Sequence, residues 1–489
     1  MKLEKIIEKL EILDHSADLA MDTEITGISY DSRTVQPGHI FVAIRGFESD
    51  GHRFIPNAVA SGAAVILCEI PPEGEIPFLV VRDSRLALAL ISCTFFGYPA
   101  EKMTVIGVTG TSGKTTSTNL IKLILESRPG NKVGLVGTNG NMIGEELLHT
   151  EHTTPESYEL QKLFAEMVEK GCTHVVMEVS SHSLSLHRVA GIRYDVAAYT
   201  NLSQDHLDFH RTMDAYAEAK SLLFGMCCTA CINLDDDYAP VMLKAAENSG
   251  CRVIRTSVER KEAEITAEEI RLTASEVSFL ADCEGNTAEV HLAIPGMFSV
   301  YNALTALSVC AAAGVPLGEC TAALAGAAGV KGRMEKVPVP GDYTVLIDYS
   351  HKPDALEKVL KTLRPVTKGR LTVLFGCGGD RDRKKRPIMG RVAVENADVT
   401  IVTSDNPRTE KPEDIIQEIV EGTRGAKTEV QVIVDRIEAI HWAIDHAVPG
   451  DVILLAGKGH EDYQVIGHDK FHMDEREIVA DYLRDRGAL

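Results

Sequence analysis

The sequence predicts an α/β protein in three parts: a small N-terminal α/β domain over residues 1–99, a central domain with a parallel sheet over 100–334, and a Rossmann-like C-terminal domain over 335–489. Three observations lead there. At 489 residues the chain is too long for one core and suits three domains of roughly 150 residues each. Residues 103–127, MTVIGVTGTSGKTTSTNLIKLILES, run from an apolar strand through a glycine turn into a helix. Beyond residue 343, four apolar strands alternate with helical stretches, and each ends in a polar loop.

The first 14 residues, MKLEKIIEKLEILD, read as a charged amphipathic helix without the uninterrupted apolar stretch of a signal peptide. From residue 25 come short strands, a Pro37-Gly38 turn, a helix of small residues and a buried strand. Two polar clusters punctuate them, Tyr30-Asp31-Ser32-Arg33 and Gly46-Phe47-Glu48-Ser49-Asp50-Gly51. Loop chemistry accounts for either about as well as a binding site does. The most apolar later stretch, 86–98, is too short to span a bilayer. With 44% hydrophobic and 25% charged residues, the expectation is a cytoplasmic protein with no membrane insertion. A net charge of −21 argues against a nucleic-acid partner, since phosphate backbones are bound by positive faces. Small phosphorylated ligands, held by local lysines and arginines, stay open. Eleven cysteines show no repeating spacing. The cluster Cys227-Cys228-x-x-Cys231 lacks a second ligand pair at zinc spacing and reads as thiols of a reduced compartment.

In the central domain, Gly110-Thr111-Ser112-Gly113-Lys114-Thr115-Thr116 opens a helix with Leu120, Ile121, Ile124 and Leu125 at helical spacing. Strand, glycine loop and helix make a phosphate site: glycines let backbone N–H groups approach, and the helix N-terminus adds partial positive charge. Lys114 would lie against β- and γ-phosphates, and the Thr115 hydroxyl would ligate Mg²⁺. The commonest form of such a loop wants glycine where Val108 stands. A strand over 173–179 then delivers Glu178 ahead of Ser180-Ser181-His182, and an apolar run over 195–199 delivers Thr200-Asn201-Leu202-Ser203-Gln204-Asp205-His206. A carboxylate and a histidine at neighbouring strand ends, in an Asp- and Thr-rich loop, suit a hard ion better than zinc. The helix over 213–224 carries Lys220 in its more apolar part, either as a snorkelling side chain or as a functional amine. Residues 257–293 alternate like a strand hairpin, and a helix with Asn302 near its start precedes Gly332-Arg333-Met334-Glu335.

The four C-terminal strands lead to Asp348-Tyr349-Ser350-His351, to Cys377-Gly378-Gly379-Asp380-Arg381, to Asp405-Asn406-Pro407-Arg408 and to Gly457-Lys458-Gly459-His460-Glu461. In a parallel sheet all four loops fall on the carboxyl edge and form one ligand face. No G-x-G-x-x-G follows the first strand, so dinucleotide binding is not supported. The basic run around Arg383 is interleaved with aspartates, which argues against a nucleic-acid patch.

Taken together, T-G-T-S-G-K-T-T, E-V-S-S-H, T-N-L-S-Q-D-H-L-D, Y-N-A-L, G-R-M-E, D-Y-S-H-K-P-D-A-L and G-K-G-H-E-D resemble the motifs of the Mur ligases, in that family's order and over essentially the whole chain. The resemblance implies an ATP-dependent, ADP-forming ligase of peptidoglycan synthesis, with a central P-loop ATPase domain. Within the family, Asp405-Asn406-Pro407-Arg408 is similar to the members that add meso-2,6-diaminopimelate. An arginine fork can hold the distal carboxylate that lysine lacks. Carried over by resemblance, Arg381, Asp405, Asn406, Pro407, Arg408, Gly457 and Glu461 would hold that acceptor.

The same resemblance implies two Mg²⁺ ions, one at Thr115 and one at Glu178, His206 and Lys220, with Lys220 carrying a CO₂-derived carbamate. Asn302, Arg333 and Asp348 would join the glycine loop as ATP contacts. His152, Thr153, Thr154, Ser180 and Arg188 match positions on a UDP-N-acetylmuramoyl-dipeptide substrate, and Tyr30, Ser32, Phe47, Glu48 and Ser49 match its uridine pocket. Leu186 stands where some members carry a substrate-contacting glutamine. The implied reaction activates the D-glutamate γ-carboxylate as an acyl phosphate, which the amine then attacks after closure of the third domain over the second. The expected partners are small molecules only, and the expected state is a monomer. A lysine-adding or folylpolyglutamate-type ligase is the near alternative, and Arg408 argues against both. A P-loop switch protein using ATP only for conformational change is the distant one, and it leaves the four C-terminal loops unexplained.

Overall fold

The computed structural model describes residues 1–46, 49–148, 150, 152–327 and 329–487. Phe47 and Glu48, expected in the uridine pocket, lie outside the described residues. The chain divides into two compact units, one of residues 1–263 with 305–315 and one of residues 264–304 with 316–489.

The first unit begins with five strands, β1 (Asp14–His15), β2 (Gly27–Ser29), β3 (His39–Val42), β4 (Val65–Cys68) and β5 (Phe78–Val80). Their order is β1-β5-β4-β3-β2, parallel except for β1. The expected N-terminal helix is cut to Leu3–Ile6. The chain turns where Leu10 N–H reaches Ile7 O, and Leu13 N–H donates to Val80 O. Pairing the open edge of β5 thus outcompetes the later turns of a helix too short to persist alone. Leu3 and Ile6 still fill the core with Ile40, Val65 and Leu79.

Next come β6 (Thr104–Thr109), β7 (Val133–Val136), β8 (Asn141–Ile143), β9 (Glu146–Leu148), β10 (His174–Glu178), β11 (Tyr194–Tyr199), β12 (Cys227–Asn233) and β13 (Arg252–Ser257). Within this unit they run in the order β13-β12-β11-β6-β10-β7-β8-β9. Pairing is parallel from β13 to β7 and antiparallel beyond. Val105, Ile106 and Val108 are all fully buried, so β6 reads as a continuous apolar run because both its faces are covered. Because β6 lies between β10 and β11, the loops after all three share one edge. The cysteine cluster sits along β12, with Cys231 buried and Cys228 exposed, and all eleven thiols are free.

The second unit opens with an antiparallel meander of β14 (Ile265–Leu272), β15 (Val277–Cys283) and β16 (Asn286–Leu292), as the alternating pattern predicts. Then follow β17 (Glu335–Val337), β18 (Thr344–Asp348), β19 (Leu371–Phe375), β20 (Val399–Val402), β21 (Glu429–Val432), β22 (Val452–Ala456) and a hairpin of β23 (Tyr463–Ile466) and β24 (Asp469–His472). The order β17-β18-β22-β19-β20-β21 is parallel except at β17, so the four polar loops do leave one carboxyl edge. Among the described residues, no helix is long and apolar enough to cross a membrane.

Candidate functional site

In the first unit the glycine loop joins β6 to the helix Lys114–Glu126. Gly110 takes φ +151°, and a Cβ there would lie 1.9 Å from Thr200 Oγ1, so only glycine fits. Asn201 braces the turn: its carbonyl accepts from Thr111 N–H at 2.8 Å and its side-chain Oδ1 from Ser112 N–H at 3.1 Å. Lys114 Nζ folds back to donate to Gly110 O (2.9 Å) and Thr111 O (3.1 Å). Thr115 and Thr116 are buried at the first turn of the helix.

Lys220 reaches the same carbonyl from the helix Met213–Ser221. Its Nζ is 2.8 Å from Gly110 O and 4.7 Å from the centroid of the Tyr216 ring. The side chain is only 1% exposed. Burial, with the Lys114 charge adding to it and Asp205 opposing, holds the amine well below the usual lysine range. The snorkelling reading is therefore replaced by a fully buried amine at the phosphate loop.

Glu178, at the end of β10, is buried, and its two oxygens accept from Thr138 N–H (2.9 Å) and Thr138 Oγ1 (3.0 Å). His206 has a left-handed backbone (φ 53°), and its ring centroid is 4.8 Å from that of His182 and 6.1 Å from that of Tyr216. His210 Nε2 lies 2.8 Å from Ser181 Oγ. Among the described residues, no three His, Cys, Asp or Glu side chains are grouped to hold an ion. The expected second Mg²⁺ set thus depends on what Lys220 carries.

The expected dipeptide residues knit together beside β10. Thr154 Oγ1 donates to Glu178 O (2.8 Å) and accepts from Ser180 N–H (3.2 Å), while Thr153 Oγ1 lies 3.1 Å from Thr138 Oγ1. Arg188 donates to Thr154 O (3.1 Å) and pairs with Glu156 (2.7 Å). Its Nε is buried with no hydrogen-bond partner among the described residues. The carbonyl of His152 accepts from Thr150 Oγ1 at 2.8 Å. Tyr30 and Ser32 line a cleft of about 650 Å³ with Ser49, Arg85 and Glu156. Burial and the Glu159 carboxylate, which shares a hydrogen bond with it, push the Tyr30 phenol far above its ordinary range. Glu156 and Glu159 had no motif to mark them; their only signal is acidic spacing at the start of the helix Ser157–Glu169.

In the second unit hydrogen bonds and ring contacts link the four strand-end loops in a chain. Arg408, left-handed at φ 52°, donates to Gly379 O at 2.9 Å, and Gly379 N–H donates to Asn406 O at 2.9 Å. A Cβ on Gly379 would meet Pro407 O at 1.8 Å, so the two loops seat only through glycine. The β23 hairpin clasps Arg408 from both sides, accepting its N–H at Val465 O (3.1 Å) and donating Gly467 N–H to its carbonyl (2.8 Å). Asn406 Nδ2 donates to Glu461 Oε2 at 2.9 Å, and a Cβ at Gly457 would sit 3.5 Å from Asp405 Oδ2. Arg381 is exposed and donates to Asp380 O at 3.0 Å. Asp348 accepts from Met334 N–H (2.9 Å) and from Ser350 Oγ, and Asn302 is buried in the helix Met297–Ala312. The Arg333 guanidinium is 5.2 Å from the Tyr349 ring centroid, and the His460 ring is 4.9 Å from it. Burial and nearby cations, Arg333 first, pull His460 down to about 4. Lys458 was passed over in the sequence although it stands in a quoted loop; it is fully buried between Asp405, Asn406 and Glu461.

Three family models match successive stretches: Mur ligase family, catalytic domain, over 24–88; Mur ligase middle domain over 108–310; and Mur ligase, glutamate ligase domain, over 332–459. A UDP-N-acetylmuramoyl-L-alanyl-D-glutamate–2,6-diaminopimelate ligase of Caldanaerobacter subterraneus subsp. tengcongensis is 45% identical over 484 residues, 98% of this chain and 99% of that one. A protein of the same name from Clostridium tetani is 44% identical over 99% of this chain and 100% of its own. A solved structure with that name superposes with a TM-score of 0.76 at 32% identity, covering 100% of both chains.

Proposed function

The chain belongs to the Mur ligase family, and on that premise we propose that it joins meso-2,6-diaminopimelate to the D-glutamate γ-carboxylate of UDP-N-acetylmuramoyl-L-alanyl-D-glutamate, converting ATP to ADP and phosphate. The observation that carries the reading is that Arg408 and the Asp405 and Glu461 carboxylates, which share Lys458, stand on one strand-end face. A guanidinium suits the acceptor's distal carboxylate and the carboxylates suit its ammonium group.

In the first step the γ-carboxylate attacks the γ-phosphate of ATP and ADP leaves, giving an acyl phosphate. Lys114 and the N–H groups of the loop stabilise the charge that develops on the transferring group. Arg188, Thr154 and Ser180 orient the dipeptide, and the cleft around Tyr30 and Ser32 takes the uridine end. In the second step the unprotonated amine of diaminopimelate attacks the acyl carbon, the amide forms and phosphate is expelled.

Thr115, and Glu178 and His206 with Lys220 as a carbamate, would hold Mg²⁺, which when bound supplies positive charge against the phosphate oxygens. Lys220 fits that role because its buried position favours the neutral amine, the form that takes up CO₂. A carbamate also offers two oxygens where an ammonium offers none. Measuring ADP release with the uridine-linked dipeptide and each candidate amino acid tests the proposal. Release should depend on diaminopimelate; release that is indifferent to the amino acid, or faster with lysine, overturns it.

A further inference from the structure

Among the buried ionisable groups to which the mechanism above gives no task, Lys458 has the most specific surroundings. Its side chain is 0% exposed, and its Nζ lies 3.1 Å from Asn406 Oδ1, 3.3 Å from Glu461 Oε2 and 3.5 Å from Asp405 Oδ1. Two carboxylates share one ammonium, so the cluster carries one net negative charge. Leaving a buried charge uncompensated is costly, and a ligand that brings one cation relieves it.

The amide of Asn406 adds a geometric constraint. Its Oδ1 accepts from Lys458 Nζ and from Val465 N–H at 2.9 Å, so its Nδ2 must be the atom that donates to Glu461 Oε2. Lys458 therefore orients the amide that tethers Glu461.

We propose that Lys458 is a positioning residue for the acceptor: it sets the charge of the Asp405–Glu461 pocket and orients Glu461, fitting the pocket to an amino acid with one ammonium group beside a carboxylate. The inference rests on the acceptor reading above and assigns Lys458 no contact with substrate. Among the described residues, the titratable groups facing Glu461 are Lys458 from its own loop, Asp405 from the loop after β20, Tyr349 from the loop after β18 and Tyr463 on β23. Burial, with Asp405 adding to it, raises the Glu461 carboxyl above its ordinary range, while Lys458 and Asn406 hold it down. Removing Lys458 removes one of the groups that hold the carboxyl down, so it moves further up, and a rise in pH restores its charge.

The test is the KM for meso-diaminopimelate between pH 6.5 and 9, in wild type and in Lys458→Met. The wild-type KM should be flat from pH 7 to 8.5. That of the variant should rise severalfold at pH 7, as a carboxyl that titrates above neutrality would give, and recover towards pH 9. The KM values for ATP and the dipeptide should stay within about twofold of wild type. Lys458→Arg keeps the charge and should keep the flat profile, which preserves the test if the methionine variant folds poorly. An unchanged KM in Lys458→Met, or a pH-independent rise shared by all three substrates, overturns the inference alone. A wild type that turns over no diamino acid overturns the proposed function together with it.

Discussion

At the phosphate loop two amines, Lys114 and Lys220, converge on the one carbonyl of Gly110, whereas at the acceptor face one ammonium, Lys458, is shared by two carboxylates. The first arrangement calls for an anion and the second for a cation. They also differ in how each charge can change. Burial pulls Lys220 well below the usual lysine range, which is what the proposed carbamate requires. Lys458 is locked among three partners, and the loops around it are tied by further ion pairs, such as that of the fully buried Arg386 with Glu410 and Glu418. A site that handles a transferring group keeps one reactive amine in reserve; a site that selects a substrate is assembled in advance.

Changes to the loop should therefore strike turnover and changes to the face should strike selection. The largest effect is expected at Lys114: Lys114→Ala should lower the rate of ADP formation by roughly a thousandfold, as loss of a transition-state donor does, with an unchanged circular dichroism spectrum. Next is Arg408→Ala. Loss of a charge-assisted fork should raise the KM for diaminopimelate on the order of a hundredfold and leave the KM for lysine nearly unaltered, shrinking any preference between them.

A smaller effect is expected at Tyr30, where Tyr30→Phe removes the hydroxyl from the Glu159 carboxylate. It should raise the KM for the uridine-linked dipeptide by up to roughly tenfold, from the typical cost of losing a hydrogen bond to a charged group. The smallest concerns the scaffold of the acceptor face. Arg386 holds the Glu410 carboxyl at about 2, below its unfolded value of 4.5. A depressed carboxyl stabilises the fold above the unfolded value and loses that contribution as pH falls from 4.5 towards 2. Arg386→Met should flatten this stretch of the stability–pH curve in urea denaturation, an effect on the order of 1 kcal/mol because Glu410 is partly exposed.

The two regions were also unequally legible in the sequence. Gly110 to Thr116 is contiguous, so spacing alone announces strand, turn and helix. Lys220 lies over a hundred residues further along, and nothing in its helix shows that it returns to Gly110 O. The four strand-end loops were legible because each follows an apolar run, and the parallel order of β18, β22, β19 and β20 brings them together. Inside those loops the sequence gives no way to tell a substrate contact from a residue that positions one, which is why Lys458 was missed. The N-terminal helix failed for a tertiary reason, since an open strand edge claimed its second half.

The central claim, that the γ-carboxylate is activated by phosphorylation and then handed to diaminopimelate, is tested most directly by isotope transfer. With ¹⁸O in the D-glutamate γ-carboxylate of the uridine-linked dipeptide, one ¹⁸O should appear in the inorganic phosphate of each turnover, and its release should require diaminopimelate. Unlabelled phosphate, or phosphate released at the same rate without the amino acid, would contradict the account.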